Sequence, residues 1–179
     1  MKKVLALILA ILMVASLAAC GGKPSGKNLQ TAEMTVEASG LEELTKVTVG
    51  APKGMEMVQT DWSVQFTDEK QDAYVEAYLC CDYNCYNENK EYAKEEYDGY
   101  KEQKFGDYDG YYYISDSGVY VEVFVYLGCV AEIDDVYLSY SVSSVSNDTD
   151  PMDIFKLKDV QTILNYAVFT PAQESAETT

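Results

Sequence analysis

The sequence contains no histidine, and this absence removes several chemistries at once. Ser-His-Asp and Cys-His nucleophilic catalysis both need an imidazole to accept a proton near neutral pH, and imidazole metal sites need it as a ligand. Carboxylate chemistry remains. There are 30 Asp and Glu residues, and two carboxyls flanking a sugar linkage suffice for glycoside hydrolysis. Spacing alone singles out no pair among them. Acidic loops offer a second chemistry, since bunched carboxylates hold calcium. Asp107, Asp109 and Asp116 flank one turn; Asn147, Asp148, Asp150 and Asp153 cluster at another. Neither set has the twelve-residue EF-hand spacing, and Asp148 and Asp150 also suit a helix start. No metal ligands and no cofactor are assigned.

Thiols and phenols are the other reactive side chains. Setting aside Cys20, four cysteines remain: Cys80, Cys81, Cys85 and Cys129. Their spacing is not that of a zinc ribbon, and no Cys-x-x-Cys redox motif is present. By strand parity Cys81 and Cys129 both point to an aliphatic face, so they form a candidate disulfide if their strands are neighbours. The 16 tyrosines include the run Tyr111-Tyr112-Tyr113. Tyr111 and Tyr113, with Tyr120, Phe124 and Tyr126 from the less aliphatic face of a long strand, are candidate ligand-binding residues. An exposed platform of such rings binds sugars or peptide segments. The alternative is that these rings cover a sheet face beneath a helix, since tyrosine favours strands.

Met1-Lys2-Lys3 is a short basic start, and the run from Val4 to Ala15 is apolar without charge or proline. At 12 residues the run is shorter than the roughly 20 residues that span a bilayer, and a signal peptide has this form. The segment closes on Leu17-Ala18-Ala19-Cys20-Gly21, which resembles the lipobox of bacterial lipoproteins. That resemblance implies diacylglyceryl transfer to the Cys20 thiol, cleavage before Cys20, and anchorage to membrane lipid on the extracytoplasmic face. Burying acyl chains contributes about 0.8 kcal/mol per methylene, so two chains give stable attachment. Losing Lys2 and Lys3 with the leader takes the net charge from −17 to −19. All basic residues are lysine, and so acidic a surface repels nucleic acid and anionic polymers.

The elements that position these residues follow from periodicity. Residues 1–19 read as signal peptide and 20–30 as lipidated cysteine and flexible tether. Residues 31–170 read as one folded α+β domain, and 171–179 as a disordered tail. Apolar residues alternate at Met34, Val36 and Ala38, at Thr45, Val47 and Val49, and at Trp62, Val64 and Phe66. They alternate again at Val75, Ala77, Leu79 and Cys81, with Tyr74, Glu76, Tyr78 and Cys80 opposite. Asn87 to Lys104 reads as a helix whose buried row is Tyr86, Ala93, Tyr97 and Tyr100, broken at Asp107-Tyr108-Asp109-Gly110. Gly118 to Cys129 alternates strictly as a long strand, followed by Val136, Leu138, Tyr140 and Val142. Asp150-Pro151 opens a last helix carrying Ile154, Leu157, Val160, Leu164 and Val168. The expected architecture is a mostly antiparallel sheet of about six strands, with a central and a C-terminal helix packed on it. The run Val47-Thr48-Val49-Gly50-Ala51-Pro52-Lys53-Gly54-Met55, with a central helix, a hairpin and a closing helix after it, resembles the opening of PsbP/Mog1-like α/β sandwich domains over about residues 44–169. The resemblance implies that fold and no particular role. The expected function is a non-catalytic binding or adaptor module for a protein, peptide or glycan ligand. The alternatives are a carboxylate-dependent hydrolase of envelope carbohydrate and an accessory subunit of an envelope complex.

Overall fold

The computed structural model describes residues 28–37, 43–130 and 134–172. Cys20 and the leader lie outside the described residues. Ten strands form among those described, in two antiparallel sheets rather than one sheet of about six strands. The smaller sheet has the order β1 (Leu29–Val36), β2 (Thr45–Pro52), β10 (Ala167–Thr170). The larger has the order β3 (Glu56–Gln59), β4 (Ser63–Asp68), β5 (Ala73–Tyr83), β9 (Asp134–Ser144), β8 (Val121–Val130), β7 (Tyr108–Ile114), β6 (Lys101–Phe105).

Two meanders build the larger sheet. β3-β4-β5 runs in from one edge and β6-β7-β8-β9 from the other, and they meet where β5 pairs with β9. Helix α1 (Cys85–Glu96) joins them, carrying the chain from mid-sheet to the far edge. Along β5, β8 and β9 the alternation is as the sequence predicts: Val75, Ala77, Val121, Val123, Val125, Val136, Leu138, Tyr140 and Val142 are all buried. They face the smaller sheet, whose β2 contributes Val47 and Val49, and helices α2 (Pro151–Phe155) and α3 (Lys158–Leu164), which add Ile154, Val160 and Leu164.

Several boundaries differ from the sequence reading. β1 starts at Leu29, inside the segment read as tether, because Ala32 and Met34 bury against β2. Trp62 precedes β4 and is 83% exposed, while Val64 and Phe66 are fully buried. The helix read over 87–104 ends at Glu96, and Lys101–Phe105 is an edge strand. The break after it falls one residue earlier than expected. Phe105 pairs with Tyr108 across a two-residue turn in which Gly106 has φ 62°, a left-handed conformation that glycine adopts without strain. Gly110 sits inside β7 instead. The last helix is split in two. Asp150 caps α2 as expected, its Oδ1 accepting from the Met152 N–H at 2.8 Å, with Pro151 in the first turn. The last element among the described residues is β10, in which Val168 is exposed.

Candidate functional site

The sheet's outer face, opposite the core, divides in two. One half lies beneath α1. Tyr86 and Ala93 of the helix, with Tyr97 and Tyr100 from the segment after it, pack on Tyr111, Tyr113, Phe124, Tyr126 and Tyr137. Four of the five sequence-nominated rings therefore come together, but under cover. Tyr111 is 0% exposed. Its ring stacks on Phe124 at 4.8 Å, Tyr113 stacks on Tyr97 at 4.0 Å, and Tyr126 meets Tyr86 at 4.9 Å. Tyr86 and Ala93 are the buried residues of the helix, and both face these rings, whereas its Tyr92 is exposed.

Tyr120, the fifth ring, lies outside that cluster and is 39% exposed. It lines an open groove of about 490 Å³ with Tyr74, Glu76, Glu122, Ser141, Ser143, Ser144 and Val145. The groove follows from register. Glu76 of β5 and Glu122 of β8 both pair with Ser141 of β9, and Gln65 and Tyr113 extend the same row outward. Tyr78 and Phe124 both pair with Ser139. Tyr74 pairs with Ser143, towards Tyr120. Strand β5 thus presents Tyr74-x-Glu76-x-Tyr78, and β8 with the residue just before it presents Tyr120-x-Glu122-x-Phe124, as two ridges. The serines of β9 form a low floor between them. Neighbouring strands lie about 4.8 Å apart, which sets the two ridge backbones about 10 Å apart. Asp72 fixes the mouth: its carboxylate accepts from Ser144 Oγ, the Ser146 N–H and Thr149 Oγ1, holding the chain around Val145 in place.

The two carboxyls have different surroundings. Ser63 Oγ donates to Glu76 Oε1 at 2.8 Å, Gln65 Nε2 donates to the same oxygen at 3.0 Å, and the Tyr74 hydroxyl donates to Oε2 at 3.1 Å. Burial pushes the Glu76 pKa up, but hydrogen bonds from Gln65, Ser63, Tyr78 and Tyr74 outweigh it and leave the carboxyl below its ordinary range. Glu122 accepts from Ser141 Oγ at 2.9 Å. Burial there dominates that hydrogen bond and raises the carboxyl above its ordinary range.

Spacing in one strand could not reveal this pair, because the two glutamates meet only through β9. A signal was nonetheless present: aromatic-x-Glu-x-aromatic occurs in both flanking strands, with an alternating serine strand to separate them.

The candidate disulfide is not brought together. β9 lies between the strands of Cys81 and Cys129. In addition, Leu127 is an extra residue where the β8–β9 register shifts between Tyr126 and Gly128, and such a bulge reverses the alternation beyond it. Val130 is buried in place of Cys129, whose thiol reaches the Val130 carbonyl at 3.7 Å. Cys81 is a free thiol, half-buried, and burial pushes it up to about 11, which makes it a poor nucleophile. No group of three or more Cys, Asp or Glu among the described residues is placed to hold a metal ion.

Fold and groove define an antiparallel α+β protein whose longer sheet is half covered by a helix and half open. No family model and no curated protein matches the chain. Among solved structures, the crystal structure of LpqN, involved in cell envelope biogenesis of Mycobacterium tuberculosis, is similar at a TM-score of 0.44 and 11% identity, over 79% of this chain and 92% of that one. A TM-score of 0.44 assigns neither fold nor role.

Proposed function

We propose that the protein is a lipid-anchored, extracytoplasmic binding module, held to the membrane through Cys20, that takes its ligand in the open groove on the outer sheet face. The anchor rests on the leader and on Leu17-Ala18-Ala19-Cys20. The binding role rests on one observation: Tyr74 and Glu76 on one side, and Tyr120 and Glu122 on the other, flank a serine floor that α1 leaves uncovered. Side chains of this kind offer flat apolar area and hydrogen bonds together, at low conformational cost. Among the described residues no helix is long and apolar enough to cross a membrane.

A second reading is hydrolysis of an envelope glycan by the two glutamates. It is favoured by their opposite pKa shifts, the pattern of a carboxylate base paired with a carboxylic acid. One experiment separates the two. The mature chain, solubilised in detergent, is incubated with envelope glycan fragments while bound ligand and new reducing ends are both followed. The binding module retains ligand and releases no reducing ends, and Tyr120→Ala weakens retention several-fold. Release of reducing ends that Glu122→Gln abolishes would establish the hydrolase instead. If Cys20→Ala leaves the protein in the membrane fraction, the anchor assignment is wrong.

A further inference from the structure

We infer that the ligand of this groove is a glycan carrying free primary amines. This inference rests on the binding role just proposed and adds the chemistry of what is bound. Tyr74 and Tyr120 line the groove at the same end of the two ridges, and aromatic rings pack on the C–H faces of sugar rings. Ser141 and Ser143 on the floor are short hydrogen-bonding groups suited to hydroxyls. Neutral sugar explains these features but not the two glutamates.

The glutamates call for a cation. No lysine lines the groove. The described ion pairs engage Glu33, Glu102, Glu91, Asp109 and Asp153, and neither groove glutamate is among them. Glu122 is half-buried, with Ser141 as its donor. Glu76 lies across β9 from it, both residues pairing with Ser141, and burial alone raises the cost of ionising Glu122. An ammonium group seated over Ser141 would lower that cost and add charge-assisted hydrogen bonds. A lysine side chain would supply the charge but no flat ring for the tyrosines. A sugar amine supplies both. The chain's acidity works in the same direction, since a net charge of −17 repels anionic glycans and attracts cationic ones.

The test compares glucosamine oligomers with N-acetylglucosamine oligomers of equal length, which differ in whether the nitrogen is charged. Binding to the detergent-solubilised mature chain is measured by calorimetry. The glucosamine oligomer is expected to bind at least about tenfold more tightly, the worth of one charge-assisted hydrogen bond. The preference should fade as pH falls through the raised Glu122 pKa, where the carboxylate is lost. Glu122→Gln should bring the two affinities together without lowering thermal stability, because it removes a half-buried charge. Tyr120→Ala should weaken both oligomers alike. Equal or tighter binding of the acetylated oligomer overturns the amine inference and leaves the binding role standing. A lysine-rich peptide that outcompetes the glucosamine oligomer in a Glu122-dependent way also overturns it, in favour of a protein ligand. If none of the three probes binds, the inference and the binding role fall together.

Discussion

Tyr111→Ala is expected to destabilise the protein by about 3–5 kcal/mol, the usual cost of emptying a buried aromatic site, whereas Tyr111→Phe should stabilise it by about 1 kcal/mol. Tyr111 is fully buried at the centre of the aromatic cluster, touching Tyr86, Tyr100, Tyr113 and Phe124. Alanine would leave a cavity that rings stacked from both sheet and helix cannot close without losing one another. The hydroxyl is a separate matter. It is buried without a protein hydrogen-bond partner, and a hydroxyl moved from water into such a place costs about 1–3 kcal/mol. Phenylalanine keeps the stack and omits that cost. Urea unfolding of the two variants should therefore shift the midpoint in opposite directions. Tyr111→Phe should also bind ligand like the native chain, because the ring lies under α1 and away from the groove. A fall in affinity with unchanged stability would return Tyr111 to the binding surface.

The contrast between Tyr111 and Tyr120 shows what alternation in sequence conveys. Tyr111 stands out in sequence through the run Tyr111-Tyr112-Tyr113 and Tyr120 through the less aliphatic face of the long strand, and in the structure both occupy the outer face. Strand parity fixes a face but does not say what covers it. That depends on α1, whose path from β5 to the far edge is set by which strands pair. Local periodicity also fails where an element has no buried face of its own. Lys101–Phe105 is exposed until its last residue, so it carries no two-residue period and reads as a continuation of the helix before it. Tyr97 and Tyr100 made that extension persuasive. They reach the cluster that a helical row would have reached, but from the connection after Glu96. At Leu127 a single inserted residue reverses parity, which moved Cys129 off the face assigned to it. The Glu76–Glu122 pair was hidden for a related reason. Its members are 46 positions apart in sequence, and only the insertion of β9 between β5 and β8 makes them face each other.

Gly110→Ala should destabilise the protein by about 1–3 kcal/mol, the range for overpacking a filled interior, and Gly110→Val by more. Propensity predicts the reverse, because glycine within a strand is unfavourable by about 0.5–1 kcal/mol relative to alanine, and valine is a strong strand former. The local geometry decides between them. A Cβ on Gly110 would stand 2.5 Å from the Phe124 carbonyl oxygen and 2.7 Å from Cδ2 of Phe105. The carbonyl belongs to the backbone of β8 and cannot move without disturbing that strand's pairing with β7 or β9. Phe105 is only 1% exposed and packed into the main core, so it cannot swing aside without leaving a cavity. The tight turn at Gly106-Asp107 folds β6 back on β7, so the Phe105 ring lies over the one position in β7 without a side chain. The two sites should therefore be coupled. Phe105→Leu alone should cost stability, but it should reduce the penalty of Gly110→Ala when the two are combined, a non-additivity of the kind expected for residues in contact. Denaturant midpoints of the two single variants and the double variant measure the coupling. Strict additivity, or a higher midpoint for Gly110→Ala alone, would mean that the ring does not occupy the space above Gly110.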